Sequence, residues 1–126
     1  MQFMAEHNDL GFIGEEMAVD YLQSKGYIIR HRNWKSGKKE LDIVAEKEDV
    51  LVIAEVKTRS TEYFEHPQEA ITNAKIRHIV HTAEAYIFKY DLMMETRFDI
   101  ISVIPHKNGH FTIEHIEDAF LPPVNL

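Results

Sequence analysis

Asp42, Glu55 and Lys57 fall within residues 40–59, a stretch that sets charges among strand-forming apolar residues. Val50, Leu51, Val52, Ile53 and Val56 suit a strand buried on both faces. Glu55 and Lys57 interrupt that run, and a charge taken out of water is costly unless paired or used. Two apart on a strand, they project to one face. With Glu48-Asp49 as a two-residue hairpin loop, Lys47 faces Val50, Asp42 faces Glu55 and Glu40 faces Lys57, and opposed residues lie about 4.5–5.5 Å apart at Cβ. An odd loop length would turn Asp42 to the other face. Two carboxylates so close repel unless one is protonated or a cation lies between them. Mg²⁺ and Mn²⁺ take oxygen ligands of this kind. With a lysine beside them to orient water or stabilise developing negative charge, these residues suit metal-assisted hydrolysis of a phosphodiester. The plainer alternative is a cross-strand salt bridge from Glu40 to Lys57, with Asp42 left in water.

The neighbouring elements have to position this group. Leu10, Ile13, Gly14, Met17, Ala18, Tyr21 and Leu22 recur at helical spacing over residues 8–25, with Asn8 or Asp9 as a cap and Gly26 at the end. Glu15 lies at the margin of the apolar stripe and is placed to reach inward; Glu16 points away and is expected in solvent. A strand over 27–33 turns at Ser36-Gly37 into the hairpin. A polar loop follows over 60–66, Pro67 opens a helix, and the segment from Gln68 to about Tyr90 is helical, with a break at Thr72-Asn73. Lys75 falls near the start of the longer piece. Strands over 98–104 and 110–116 flank a turn at Lys107-Asn108-Gly109. The order αβββαββ implies an α/β fold, a mixed sheet with helices packed on it.

A chain of 126 residues fits one domain with a real core. It has no cysteine, which excludes disulfides, thiolate zinc sites and a cysteine nucleophile. No run approaches the roughly 20 apolar residues of a membrane helix, the first ten residues do not read as a signal peptide, and a soluble cytoplasmic protein with no membrane partner is expected. Neither G-x-x-x-x-G-K-S/T nor G-x-G-x-x-G occurs, so no nucleotide cofactor is expected. The net charge of −7 argues against a broadly nucleic-acid-binding surface. Yet Lys25, Arg30, Arg32, Lys35, Lys38 and Lys39 follow one another with no acid between them. That stretch reads either as a phosphate-tracking rim or as a solvated strand and loop. His78 and His81 share a helix face and His106, His110 and His115 flank the last hairpin; without H-E-x-x-H or cysteine they read as surface or boundary residues rather than a zinc site.

Asp42, twelve intervening residues and Glu55-Val56-Lys57 together resemble the PD-(D/E)xK nuclease superfamily. Gly14-Glu15, Arg32-Asn33-Trp34, Glu40-Leu41-Asp42, Glu55-Val56-Lys57-Thr58-Arg59, Lys75 and Arg97-Phe98-Asp99 follow in order. As a set, over roughly residues 10–120, they are similar to the YraN family of uncharacterised bacterial proteins, which itself resembles archaeal Holliday-junction resolvases. The resemblance implies a restriction-endonuclease-like core in a single nuclease-like domain over 1–126, with the core about 8–120. It also implies a Mg²⁺- or Mn²⁺-dependent endonuclease that hydrolyses phosphodiester bonds of DNA, branched DNA included. Carried over, Asp42, Glu55 and Glu15 are metal ligands, and Lys57 orients water or stabilises the transition state. Arg30, Arg32, Lys35, Lys38, Lys39, Arg59 and Lys75 are the expected phosphate contacts. Family members usually carry glycine before the E-x-D motif, where this chain has Lys39. A homodimer would suit a two-fold symmetric substrate such as a junction. The alternative, from another class, is a non-catalytic nucleic-acid-binding or protein-interaction module that keeps the fold. The acidic net charge favours it, and a repulsive buried pair disfavours it.

Overall fold

The computed structural model describes residues 6–59 and 71–120, with side chains from Leu10 onward. The chain runs α1 (Glu6–Ser24), β1 (Ile28–Ser36), β2 (Lys39–Lys47), β3 (Val50–Thr58), α2 (Asn73–Tyr90), β4 (Glu95–Pro105) and β5 (Phe111–Ile116). The five strands form one sheet in the order β1-β2-β3-β4-β5. β3 and β4 are parallel and the other neighbours antiparallel, so the protein is a mixed α/β fold. The parallel pair needs a crossover, and α2 lies within it.

β3 sets the packing because its alternate residues serve two cores. Val52 and Ala54 pack with Ala18, Val19 and Leu22 of α1, whereas Leu51 and Ile53 pack with Ile79, Ala83 and Tyr86 of α2. All four strand residues are fully buried, which is why the segment reads as a continuous apolar run. α1 can approach closely because position 14 is glycine: a Cβ there would collide with the Thr58 side chain. α2 begins where Thr72 caps it, its hydroxyl accepting from the Lys75 N–H at 3.1 Å.

The β2–β3 turn is centred on Glu48 and Asp49, with φ of 51° and 65°. Two successive left-handed residues are what a type I′ hairpin requires. The register then runs from Lys47↔Val50 to Ile43↔Ala54, as the two-residue loop implies. Other boundaries move. α1 is already helical at Glu6, β1 continues to Ser36, and β4 spans Glu95–Pro105. The expected loop over 60–66, the Pro67 helix start and the 121–126 tail lie outside the described residues. Among the described residues no helix is long and apolar enough to cross a membrane.

Candidate functional site

The paired register of β2 and β3 ends at Ile43↔Ala54, one residue short of Asp42 and Glu55. Side chains take over there. Asp42 Oδ2 accepts from the Val56 N–H at 2.9 Å, and Glu55 Oε2 accepts a long bond from the Asp42 N–H at 3.5 Å. The face also changes: Ile43 belongs to the α1-side core, but Leu41, two residues earlier, belongs to the α2-side core. β1 matches this break. Its pairing passes from Arg32↔Ile43 to Trp34↔Leu41 across Asn33, which sits at φ 52°. The salt bridge of the plainer alternative, Glu40 to Lys57, is not formed among the described residues; Glu40 instead lies 3.9 Å from Lys35 on the other neighbouring strand.

Glu55 is 2% exposed. Burial first, and the Asp42 charge second, push its carboxyl up to about 8, against the opposing pull of Lys75, the Asp42 N–H and Lys57. Burial also raises Asp42; the Val56 hydrogen bond and Lys75 oppose this, while Glu15 and Glu40 add to it. The Lys75 ammonium, from the first turn of α2, lies 3.8 Å from Glu55 Oε1. Lys57 acts on Glu55 through its charge but makes no ion pair within 4.0 Å among the described residues. Asp42 Oδ1 accepts no hydrogen bond among them.

Glu15 takes a different position from the one expected of a third ligand. Its Oε1 accepts from Asn33 Nδ2 at 2.7 Å and from Arg32 Nη2 at 3.2 Å. It reaches the pair only through its field, by raising Asp42. Glu16, expected in solvent, is held by Arg32 at 2.7 Å. Among the described residues no three His, Cys, Asp or Glu side chains are grouped to hold an ion. The donor set at the gap is therefore two carboxylates.

The expected phosphate contacts divide into two kinds. Arg30 donates to Tyr86 Oη at 2.9 Å and to Glu46 at 2.8 Å, and Arg32 to Glu15 and Glu16. Both guanidiniums are thus paired within the chain while staying partly exposed. Lys38 and Lys39 are exposed and make no ion pair among the described residues. Lys39 opens β2 without a positive φ; the left-handed residue of that turn is Gly37, at 63°, so lysine fits where relatives were expected to need glycine. Arg59 follows β3, its N–H bonded to Val103 O at 2.9 Å. Its Nε and Nη2 are buried with no hydrogen-bond partner among the described residues.

Asp42 opens into a cavity of about 320 Å³ lined also by Lys38, Lys39, Glu40, Lys75, His78, Ile79 and Thr82. The histidines were read as surface residues, and the periodicity that puts Lys75, His78, Ile79 and Thr82 on one stripe of α2 was the signal for a shared wall. A second buried carboxylate, Asp99, also went unread as a polar centre although Arg97-Phe98-Asp99 is plain in the sequence. It lies in the α1-side half of the molecule, wholly enclosed by Arg97, His115 and the Asp118 N–H.

The family model described as "Uncharacterised protein family UPF0102" matches residues 14–103, a span that contains Glu15, Asp42, Glu55, Lys57 and Lys75. The chain is similar to a UPF0102 protein of Phocaeicola vulgatus, 54% identical over 121 residues, covering 96% of this chain and 99% of the relative. A UPF0102 protein of Bacteroides thetaiotaomicron is 54% identical with the same coverage. One of Flavobacterium psychrophilum is 51% identical over 117 residues, covering 93% of this chain and 98% of the relative.

Proposed function

The chain belongs to the UPF0102 family, and we propose that it is a Mg²⁺- or Mn²⁺-dependent DNA endonuclease on a restriction-endonuclease-like core. The observation that carries this is the parting of β2 from β3 at two buried carboxylates, both held by burial at a raised affinity for protons and Glu55 raised further by the Asp42 charge. A fold with no use for them would do better with an apolar pair at that depth.

The donor set fits the ion. Mg²⁺ keeps several waters and is usually bound through one or two carboxylates. Asp42 Oδ1 is free of hydrogen bonds among the described residues, and Glu55 Oε1 has only Lys75 at 3.8 Å. When bound, such an ion polarises a phosphoryl oxygen and lowers the pKa of water. The chain supplies the rest. Asp42 and Glu55 would hold the cation, Glu55 as its carboxylate. Lys57, on the same strand, orients the attacking water or stabilises charge on the phosphorane. Glu15 steadies the site through Arg32 and Asn33 rather than by ligation.

The rival, a non-catalytic binding module, is favoured by the Lys75–Glu55 ion pair, which partly neutralises the site without metal. Cleavage assays on junction, flap, duplex and single-stranded DNA with Mg²⁺ or Mn²⁺ separate the two. The proposal expects metal-dependent cleavage that Glu55→Ala reduces by about 10²–10³-fold, what one electrostatic element of an active site contributes. No cleavage of any substrate, or equal cleavage by Glu55→Ala, sinks it.

A further inference from the structure

A second cavity, of about 340 Å³, adjoins the one at Asp42 and shares Lys38, Lys39 and Thr82 as walls. It extends to Ser36, Gly37 and His81. The two form a cleft between the β1–β2 turn and one side of α2, ending at Asp42. Three lysines, Lys38, Lys39 and Lys75, line it against two acids, Glu40 and Asp42. On a chain of net charge −7 this is a local surplus of positive charge, and a groove with such a surplus favours the opposite ion. His78 and His81 add ring N–H donors along the helix wall.

Size limits what can enter. Each cavity is near the lower end of the roughly 300–1,000 Å³ typical of small-molecule pockets, enough for a nucleotide-sized group and too small for paired strands. Glu55 is 2% exposed and Asp42 lines the cleft's inner end, so the cleft is the approach to the carboxylates.

We propose that this cleft is the track for one unpaired DNA strand, gripped through its phosphates by Lys38, Lys39 and Lys75 with His78 and His81 beside them. For catalysis at its inner end the inference rests on the hydrolase reading; for binding it does not. The substrate class is DNA with an unpaired strand at the cleavage point, such as a flap, a frayed end or a single strand, and uninterrupted duplex is a poor ligand.

The test is fluorescence anisotropy of the full chain in EDTA with labelled oligo(dT) and with a blunt duplex of equal length, over a salt series. The expected result is tighter binding of oligo(dT) than of duplex. Lys38→Gln/Lys39→Gln should weaken it at least tenfold at low salt and flatten the log K against log salt slope by about 1.4, from about 0.7 per single-strand phosphate contact. His78→Gln/His81→Gln should weaken binding severalfold. All these side chains are exposed, and melting curves verify that the variants fold. Duplex bound as well as oligo(dT), no binding of either, or an unchanged slope in the lysine variant overturns the track. Because the assay excludes metal, track binding without metal-dependent cleavage removes the hydrolase reading alone. Metal-dependent cleavage of duplex that the lysine variant leaves intact removes the track alone.

Discussion

Two charged pairs with the same spacing lie on neighbouring parallel strands, Arg97-x-Asp99 on β4 and Glu55-x-Lys57 on β3, and they have opposite fates. Asp99 pairs across the ladder with Ala54, and Glu55 with Ile100, so the two carboxylates sit one step apart on opposite faces of the sheet. Asp99 is 0% exposed and fully satisfied. Arg97 forks onto it at 2.9 and 2.7 Å, His115 Nε2 lies at 2.7 Å and the Asp118 N–H at 3.0 Å. An ionised carboxylate only accepts, so His115 Nε2 donates to it, and Nδ1 lies 3.1 Å from Tyr21 Oη. Burial pulls the Asp99 carboxyl up, but His115, Arg97 and the Asp118 N–H outweigh it and hold it below the usual range. Glu55 has the same burial with one lysine at 3.8 Å and a second carboxylate beside it. The first centre stabilises the fold. The second opposes it, because burial raises both of its carboxyls.

The largest expected effect comes from breaking the satisfied centre. Asp99→Asn leaves Arg97 without its buried partner and should cost about 3–5 kcal/mol, a fall in Tm of more than about 10 °C. A loss below about 1 kcal/mol would erase the contrast. Next is Glu55→Gln, which removes the repulsion at nearly constant volume. In EDTA near pH 9 it should stabilise the protein by about 1–3 kcal/mol, the scale of one buried unsatisfied group; destabilisation would mean the Lys75 ion pair dominates.

The pH dependence separates the same two centres. Glu55 is raised to about 8 from its ordinary 4.5, so the stability it confers is full below 4.5 and is lost as pH rises through about 8. The gain from Glu55→Gln should therefore shrink towards pH 5. Asp99 is lowered, so its contribution is present above the ordinary carboxylate range and is lost as acid protonates it. Denaturant titrations of the metal-free protein from pH 3 to 9 check both arms. A wild type that is no less stable at pH 9 than at pH 6, relative to Glu55→Gln, would contradict the assignment. The smallest effect concerns the committed arginines. Arg30→Gln/Arg32→Gln should lower stability by up to about 1 kcal/mol per partly exposed pair while leaving the salt slope of DNA binding unchanged. A flattened slope would return them to the DNA path.

The sequence was most legible where one choice fixed many residues. Placing the turn at Glu48-Asp49 determined the β2–β3 register from Lys47↔Val50 to Ile43↔Ala54, although Glu48 is of a type that seldom adopts the left-handed conformation. The break at Asp42 was not legible, because alternation assumes a regular strand and the switch depends on Asn33 in the adjoining one. Arg30 and Arg32 looked like free cations since their partners, Glu46, Tyr86, Glu15 and Glu16, come from other elements. His115 carries no local sign that it is buried against Asp99. E-x-K and R-x-D look alike in the sequence, and only the three-dimensional partners distinguish them.

The central claim is that Asp42 and Glu55 form a cation site. Thermal melts of wild type and Asp42→Asn, each with EDTA and with saturating Mn²⁺, test it most directly. In EDTA, Asp42→Asn should melt higher than wild type. With Mn²⁺ at a hundredfold excess over Kd, wild type should gain about 2.7 kcal/mol, and Asp42→Asn should lose most of that increment. Equal shifts in both proteins, or none in either, would contradict the claim.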